Sequence, residues 1–329
     1  MSTRRCWIIG LWAVLQVGGI VRAQESTPDV TAEATSEATP EATPYRVEFP
    51  GPGGYTLRGT MGRFERVYRV YIPASYEDAA APVPLLFVFH GAGGDGVSIA
   101  EISAFNDLAD QEGFVAVYPD GINRIWNDGR PPDPSIGPVD DLGFVTAIIE
   151  GLMGGLSIDP NRIYAAGFSA GGMFAFRLGC ELPDHFAAVA SVASTFPEYL
   201  MNNCDDTPPM PVLVIQGTDD PIIPWTGVSG GYLSAAATLD FWEAHNNCKI
   251  STGLLVEADT NVDDGTRILS EARNDCADGA DVQLYGVFFG GHTWPSHPIQ
   301  ASIQLGVTSM DIDASQVIWN FFAAHPKPQ

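Results

Sequence analysis

The sequence predicts an α/β fold, a mostly parallel central sheet with helices packed on both of its faces. Three observations carry that expectation. Segments rich in β-branched and aromatic residues alternate with segments of helical apolar spacing. The strand at 85–89 (L-L-F-V-F) is an unbroken apolar run, as expected of a strand buried on both faces. Residues 163–173, I-Y-A-A-G-F-S-A-G-G-M, join a strand, a glycine-flanked serine turn and the start of a helix in one stretch.

The chain opens with 1–23, which carries the marks of a secretory signal. Arg4 and Arg5 precede an apolar run over 6–21 that is broken by Gln16, Gly18 and Gly19, and Val21-Arg22-Ala23 fits a cleavage site. The run is short for a membrane span, so the expected mature chain starts at Gln24, extracellular and without stable membrane insertion. Residues 24–44 repeat Glu-Ala-Thr-Ser and Glu-Ala-Thr-Pro, with Val30 the one large apolar residue. They cannot bury enough surface to offset their ordering entropy and are expected to be a disordered linker. A single folded domain is expected over 45–329.

In that domain, 66–72 (R-V-Y-R-V-Y-I) reads as a strand stopped by Pro73. The strand at 85–89 runs into His90-Gly91-Ala92-Gly93-Gly94. Residues 98–111 place Ile99, Ile102, Phe105 and Leu108 at helical spacing, and Gly113 stops that helix. A strand follows at 114–118. A helix is expected over 142–156, with Asp140 and Asp141 as capping carboxylates at its positive end. Strands are expected at 163–166, 211–216 and 282–289, and helices over about 233–245 and 314–324.

Lys and Arg total 16 and Asp and Glu total 40, a formal net charge of -24. Such a chain does not bind nucleic acid through a basic face, and an anionic membrane surface repels it.

The serine turn carries the first chemical signal. In G-x-S-x-G, Ser169 sits on strained backbone, and Gly167 and Gly171 leave room where strand and helix approach. A serine hydroxyl needs a base to take its proton, and the base needs an orienting acid. His292 follows the strand at 282–289, and Asp219 and Asp220 follow the strand at 211–216. That is the end of an open α/β sheet where sites gather. Asp220 is favoured over Asp219 because Pro221 biases it to extended backbone. His185, His245, His297 and His325 fall in turns, helix ends or proline-rich loops and are expected to be structural or solvent-facing.

The loop 90–94 can offer a backbone N–H to an oxyanion. Ala92 and Ala170 are the expected donors, Gly93 is the alternate for Ala92, and His90 is expected to brace the loop. Trp126, Trp225 and Trp294 flank these residues and are the substrate-binding candidates, an aromatic wall, with ordinary core packing the alternative for each. Residues 259–265 have a superficial similarity to a calcium loop. The glycine is displaced by one place and Ser270 stands where a glutamate would, so an acidic hairpin turn is expected. No Cys/His spacing suggests zinc, and the chemistry calls for no metal or cofactor.

Several separate motifs then occur in one order: H-G-A-G-G at 90–94, Y-P-D-G-I-N-R-I-W-N-D-G-R at 118–130 and V-D-D-L-G-F at 139–144. D-P-N-R-I-Y-A-A-G-F-S-A-G-G-M at 159–173, C-E-L-P-D-H-F-A-A-V-A at 180–190, G-T-D-D-P-I-I-P-W at 217–225 and G-G-H-T-W-P at 290–295 follow. With them, the chain from about Tyr45 onward resembles the secreted poly(3-hydroxybutyrate) depolymerase and feruloyl esterase family of α/β-hydrolases. The resemblance implies the α/β-hydrolase fold, with Ser169 as nucleophile, Asp220 as acid and His292 as base. It implies hydrolysis of an ester polymer or oligomer through an acyl-enzyme, the ester being a 3-hydroxybutyrate oligomer, a feruloyl ester of plant polysaccharide or an acetylated sugar. A peptidase and a non-catalytic binding protein on the same scaffold are the alternatives. The family usually carries a bulkier residue or cysteine where Ala92 stands. Cys180, Cys204, Cys248 and Cys276 remain after signal removal, an even count that suggests two disulfides in one of three connectivities. The local pairs, Cys180–Cys204 and Cys248–Cys276, are expected, as the resemblance also suggests.

Overall fold

The computed structural model describes residues 22–25, 47–77, 79–131, 138–297 and 305–328. The expected signal and linker therefore lie outside the described residues, save for the backbone of β1 (Arg22–Glu25) at their junction. It pairs antiparallel with β2 (Gly53–Met61), Arg22 opposite Arg58. An edge strand offers a row of unpaired backbone groups to any extended segment nearby.

β2 and β3 (Phe64–Ile72) form an antiparallel hairpin. The centre of the sheet is parallel. It comprises β4 (Val83–Phe89), β5 (Val115–Pro119), β6 (Ile158–Phe168), β7 (Ala188–Val192), β8 (Val212–Gly217) and β12 (Val282–Phe288). β9 (Ile250–Ser251), β10 (Leu255–Val256) and β11 (Arg267–Asn274) extend it antiparallel beyond β12. The order is β1-β2-β3-β5-β4-β6-β7-β8-β12-β11-β10, with β9 also on β11.

Period-two alternation divides the core. Leu85, Phe87 and Phe89 of β4 join the side chains of α3 (Asp141–Gly155), α4 (Ala170–Glu181) and α5 (Ala235–His245). Leu86 and Val88 point the other way, to α1 (Gly96–Ser103), α2 (Phe105–Glu112) and α6 (Ala314–Ala324). This is the α/β-hydrolase arrangement, a mixed sheet with helices on both faces.

The single helix expected over 98–111 is two helices, broken at Ala104 with φ 49°. The Ser103 carbonyl accepts a hydrogen bond from Ser315 Oγ of α6 at 2.5 Å. This tertiary bond takes the carbonyl out of the helix ladder, and the apolar spacing continues across the kink.

Asp140 caps α3 by accepting from the Gly143 amide at 2.8 Å. Asp141, expected beside it as a second capping carboxylate, is instead buried. It accepts from Arg66 Nη2 and from the Asn127 amide, both at 2.7 Å, while the Arg66 guanidinium lies 3.8 Å over the Phe144 ring. Burial lowers the Arg66 pKa and raises that of Asp141. Asp141→Ala leaves a buried guanidinium without its partner. It is expected to cost about 3–5 kcal/mol in denaturant unfolding; a loss below about 1 kcal/mol would show that the pair is not a structural centre.

Two disulfides are formed, Cys180–Cys204 across 24 residues and Cys248–Cys276 across 28. Each closes a loop whose entropy in the unfolded chain is worth about 3 kcal/mol. Among the described residues, no helix is long and apolar enough to cross a membrane.

Candidate active site

β6 delivers Ser169 at the turn into α4. Its backbone is at φ 54° and ψ -119°, a region that side chains avoid. Three backbone bonds hold it there: its amide donates to Val192 O at 2.9 Å, and its carbonyl accepts from the Gly172 and Met173 amides. The flanking glycines are dictated by contact. A Cβ on Gly167 would stand 2.1 Å from Gly171 O, and one on Gly171 2.2 Å from Phe89 O at the end of β4.

β8 and β12 bring the acid and base candidates together. His292 Nδ1 donates to Asp220 Oδ2 at 2.8 Å, and both side chains are buried. An ionised carboxylate only accepts, so Nδ1 carries the proton and Nε2 keeps its lone pair. Asp220 is itself held from three sides. Oδ1 accepts from the Ile222 and Ile223 amides, both at 2.8 Å, and Oδ2 accepts from Gln216 Nε2 at 3.1 Å. Asp219 is exposed and accepts from the Thr218 hydroxyl.

The residues 305–309 form a strap behind the base. Gly291 and His292 donate their amides to Val307 O and Leu305 O, at 2.8 and 2.6 Å. A Cβ on Gly291 would lie 2.1 Å from Leu305 O, which explains the glycine before His292. The Phe168 ring packs 5.0 Å from the His292 imidazole, bringing the serine turn beside the base. The Ser169 hydroxyl makes no hydrogen bond among the described residues; catalytic bonds are often loose until substrate is bound.

The loop 90–94 lies against the same turn: a Cβ on Gly91 would be 3.3 Å from Ser169 Cβ. The Gly93 amide already donates to Arg124 O at 2.8 Å, so it is not free for a ligand. The Ala92 amide makes no hydrogen bond among the described residues, and the Ala170 amide is in the first turn of α4, where helical N–H groups have no internal partner. His90 Nε2 accepts from the Gly121 amide at 2.9 Å, so Nδ1 carries the proton and donates to Gly91 O at 2.8 Å.

Burial lowers the His90 pKa from its ordinary 6.5. The folded protein therefore favours the neutral ring. The associated stability is complete above about pH 6.5 and is lost as pH falls below it, by at most about 1.4 kcal/mol per pH unit. Between pH 7 and 5 the wild type should lose more stability than His90→Gln in urea titrations. Equal losses would show that His90 is not the group that titrates.

Two of the three flanking tryptophans are corrected to core. Trp126 is buried, donates Nε1–H to His90 O at 2.9 Å and stacks on Phe174 with centroids 5.0 Å apart. Trp294 is buried and donates to Ser315 Oγ at 3.1 Å. Trp225 is half-buried against Gly286. Sequence reasoning missed Gln216, whose signal was a lone amide ending the apolar run V-L-V-I-Q, and the strap, which left no local signal. The acidic stretch 259–265 lies in the hairpin loop between β10 and β11. Its Thr260 and Asn261 amides donate to Asp311 beyond the strap, at 2.8 and 2.9 Å. Among the described residues, no group of three or more His, Cys, Asp and Glu side chains could hold a metal ion.

Known proteins resemble this chain at both levels. The family model described as "Esterase PHB depolymerase" matches residues 66–199. A protein of Nocardia uniformis subsp. tsuyamanensis named as an esterase, NocK, is 32% identical over 275 residues, covering 78% of each chain. Feruloyl esterase B of Piromyces equi is 29% identical over 229 residues, 65% of this chain, and this chain spans 40% of its length. Acetyl xylan esterase from Aspergillus awamori shares the fold with a TM-score of 0.54 at 15% identity, over 79% of this chain and 94% of that one.

Proposed function

This chain belongs to the PHB-depolymerase esterase family, serine hydrolases acting on carboxylic ester bonds, and from that premise we propose a secreted esterase that works through Ser169, His292 and Asp220. Ser169 Oγ attacks the ester carbonyl while His292 Nε2 takes its proton. The Ala92 and Ala170 amides receive the negative charge that grows on the carbonyl oxygen. Collapse of the tetrahedral intermediate breaks the C–O bond, and His292 returns the proton to the departing alcohol. Water, activated by the same imidazole, then releases the acid and restores the serine. Asp220 keeps the ring in the tautomer that both steps need.

The observation that carries this reading is the buried 2.8 Å bond from His292 Nδ1 to Asp220 Oδ2, beside the turn that holds Ser169 at φ 54°. The two disulfides support export to an oxidising compartment, with 1–23 as signal, 24–44 as linker and 45–329 as catalytic domain. We place the substrate among 3-hydroxybutyrate oligomers and feruloyl esters; relatives bearing the feruloyl esterase name support the second. An acetyl-xylan-type esterase is the alternative.

Purified chain starting at Gln24 should release product from methyl ferulate or a 3-hydroxybutyrate trimer, and Ser169→Ala should release neither. Preference for the ferulate assigns an aromatic acyl pocket, and preference for the trimer a small aliphatic one. Release by the variant at the wild-type rate would overturn the nucleophile.

A further inference from the structure

Four large apolar side chains stand exposed on the segments that carry or brace the acid and base: Ile222 at 52%, Phe288 at 40%, Phe289 at 50% and Val307 at 44%. Three of them sit on backbone that holds this pair or lies directly beside it. Ile222 gives its amide to Asp220 Oδ1. Val307 accepts from the Gly291 amide and from Thr293 Oγ1, on either side of His292. Phe289 precedes Gly290, which forms a bridge with Val307, and donates its amide to Thr218 Oγ1 at 2.8 Å. The Phe288 and Phe289 rings lie 4.1 Å apart, so the two make one aromatic surface.

Phe289 is also strained. Its φ is 62°, a left-handed conformation that a bulky side chain avoids. Glycine would relieve the backbone, and a polar residue would suit the exposed position. An exposed aromatic ring held on costly backbone beside a catalytic base points to a ligand that the ring meets. The core does not need it.

The chemistry of the base says which part of the substrate that is. In ester cleavage the imidazolium gives its proton to the oxygen of the leaving alcohol, so the surroundings of His292 are the surroundings of the alcohol portion. The acyl carbonyl is held instead by Ser169 and the Ala92 and Ala170 amides. Resting on the esterase reading above, we infer that Phe288, Phe289, Ile222 and Val307 form an alcohol-side subsite for an apolar, uncharged alcohol moiety. An alkyl chain, or a polyester segment whose own carboxyl is esterified, fits this surface. A sugar hydroxyl needs hydrogen-bond partners, which the four side chains do not supply. The exposed carboxylate of Asp219, next to Thr218, disfavours an anionic alcohol portion.

The test holds the acyl group constant as butyrate and varies the alcohol: methyl, hexyl and xylosyl. The wild type should prefer the hexyl ester to both others in kcat/KM. Phe289→Asn, which tolerates the left-handed backbone, should lower the hexyl-to-methyl ratio about tenfold or more. Val307→Thr, nearly isosteric, should lower it in the same direction, and Ile250→Thr, exposed on the far edge strand, should leave it where it was. Equal losses on hexyl and methyl esters, an unchanged ratio, or a wild-type preference for the xylosyl ester would overturn the subsite. Failure of the esterase reading looks different: turnover of all three esters would survive Ser169→Ala.

Discussion

Ser169→Ala is expected to lower kcat on any ester the protein turns over by a factor on the order of 10^4 to 10^6. The variant keeps every backbone bond of the turn, because Val192 O, the Gly172 amide and the Met173 amide all engage main-chain atoms of residue 169. Folding stability should therefore stay within about 1 kcal/mol of the wild type. The residual rate is expected from the proposed oxyanion donors, the amides of Ala92 and Ala170, which remain in place when water attacks directly. Stopped-flow assays with a chromogenic ester give a second readout: the wild type should show a burst of alcohol release as the acyl-enzyme accumulates, if deacylation is the slower step, and the variant none. An intact burst in Ser169→Ala would move the nucleophile elsewhere.

Asp220→Asn is expected to lower kcat by about 10^4, whereas Asp219→Asn should change it less than about threefold. The contrast follows from what each carboxylate touches. Asp220 receives four hydrogen bonds, from the Ile222 and Ile223 amides, Gln216 Nε2 and His292 Nδ1. An asparagine there can keep an oxygen toward the two amides only by turning its NH2 toward His292 and Gln216. The imidazole then loses the acceptor that fixes its proton on Nδ1, and Nε2 no longer presents a lone pair to serine. Asp219, exposed on the Thr218 hydroxyl, meets no part of this network. Comparable losses from both variants would show that charge near the site, and not orientation of the ring, is what matters.

What the sequence disclosed and what it withheld divide along sequence distance. The serine turn was legible because strand, glycines and helix are contiguous, and the late aspartate and histidine because each follows its own apolar strand. Asp141 read as a helix cap because its true partner, Arg66, is 75 residues away. Trp126 and Trp294 read as ambiguous, since only packing distinguishes a wall from a core. The break at Ala104 follows a carbonyl, Ser103 O, that bonds to a serine of the last helix, 212 residues on. β7, A-V-A-S-V, escaped because its small residues carry little strand propensity, although it is buried along its whole length. The strap was invisible because its only signature, the glycine at 291, is a demand made by residues that come later in the chain.

The left-handed backbone of Ser169 bears on how such a chain can change over generations. Strain of that kind costs about 1–3 kcal/mol, and glycine would relieve it while adding about 0.5–1 kcal/mol of unfolded-state entropy. Ser169→Gly should thus be inert and yet unfold at a higher denaturant concentration than the wild type. For a lineage selected on persistence alone, the proposed nucleophile is a burden shed by one substitution. A drift experiment without an ester requirement should lose this serine among the first.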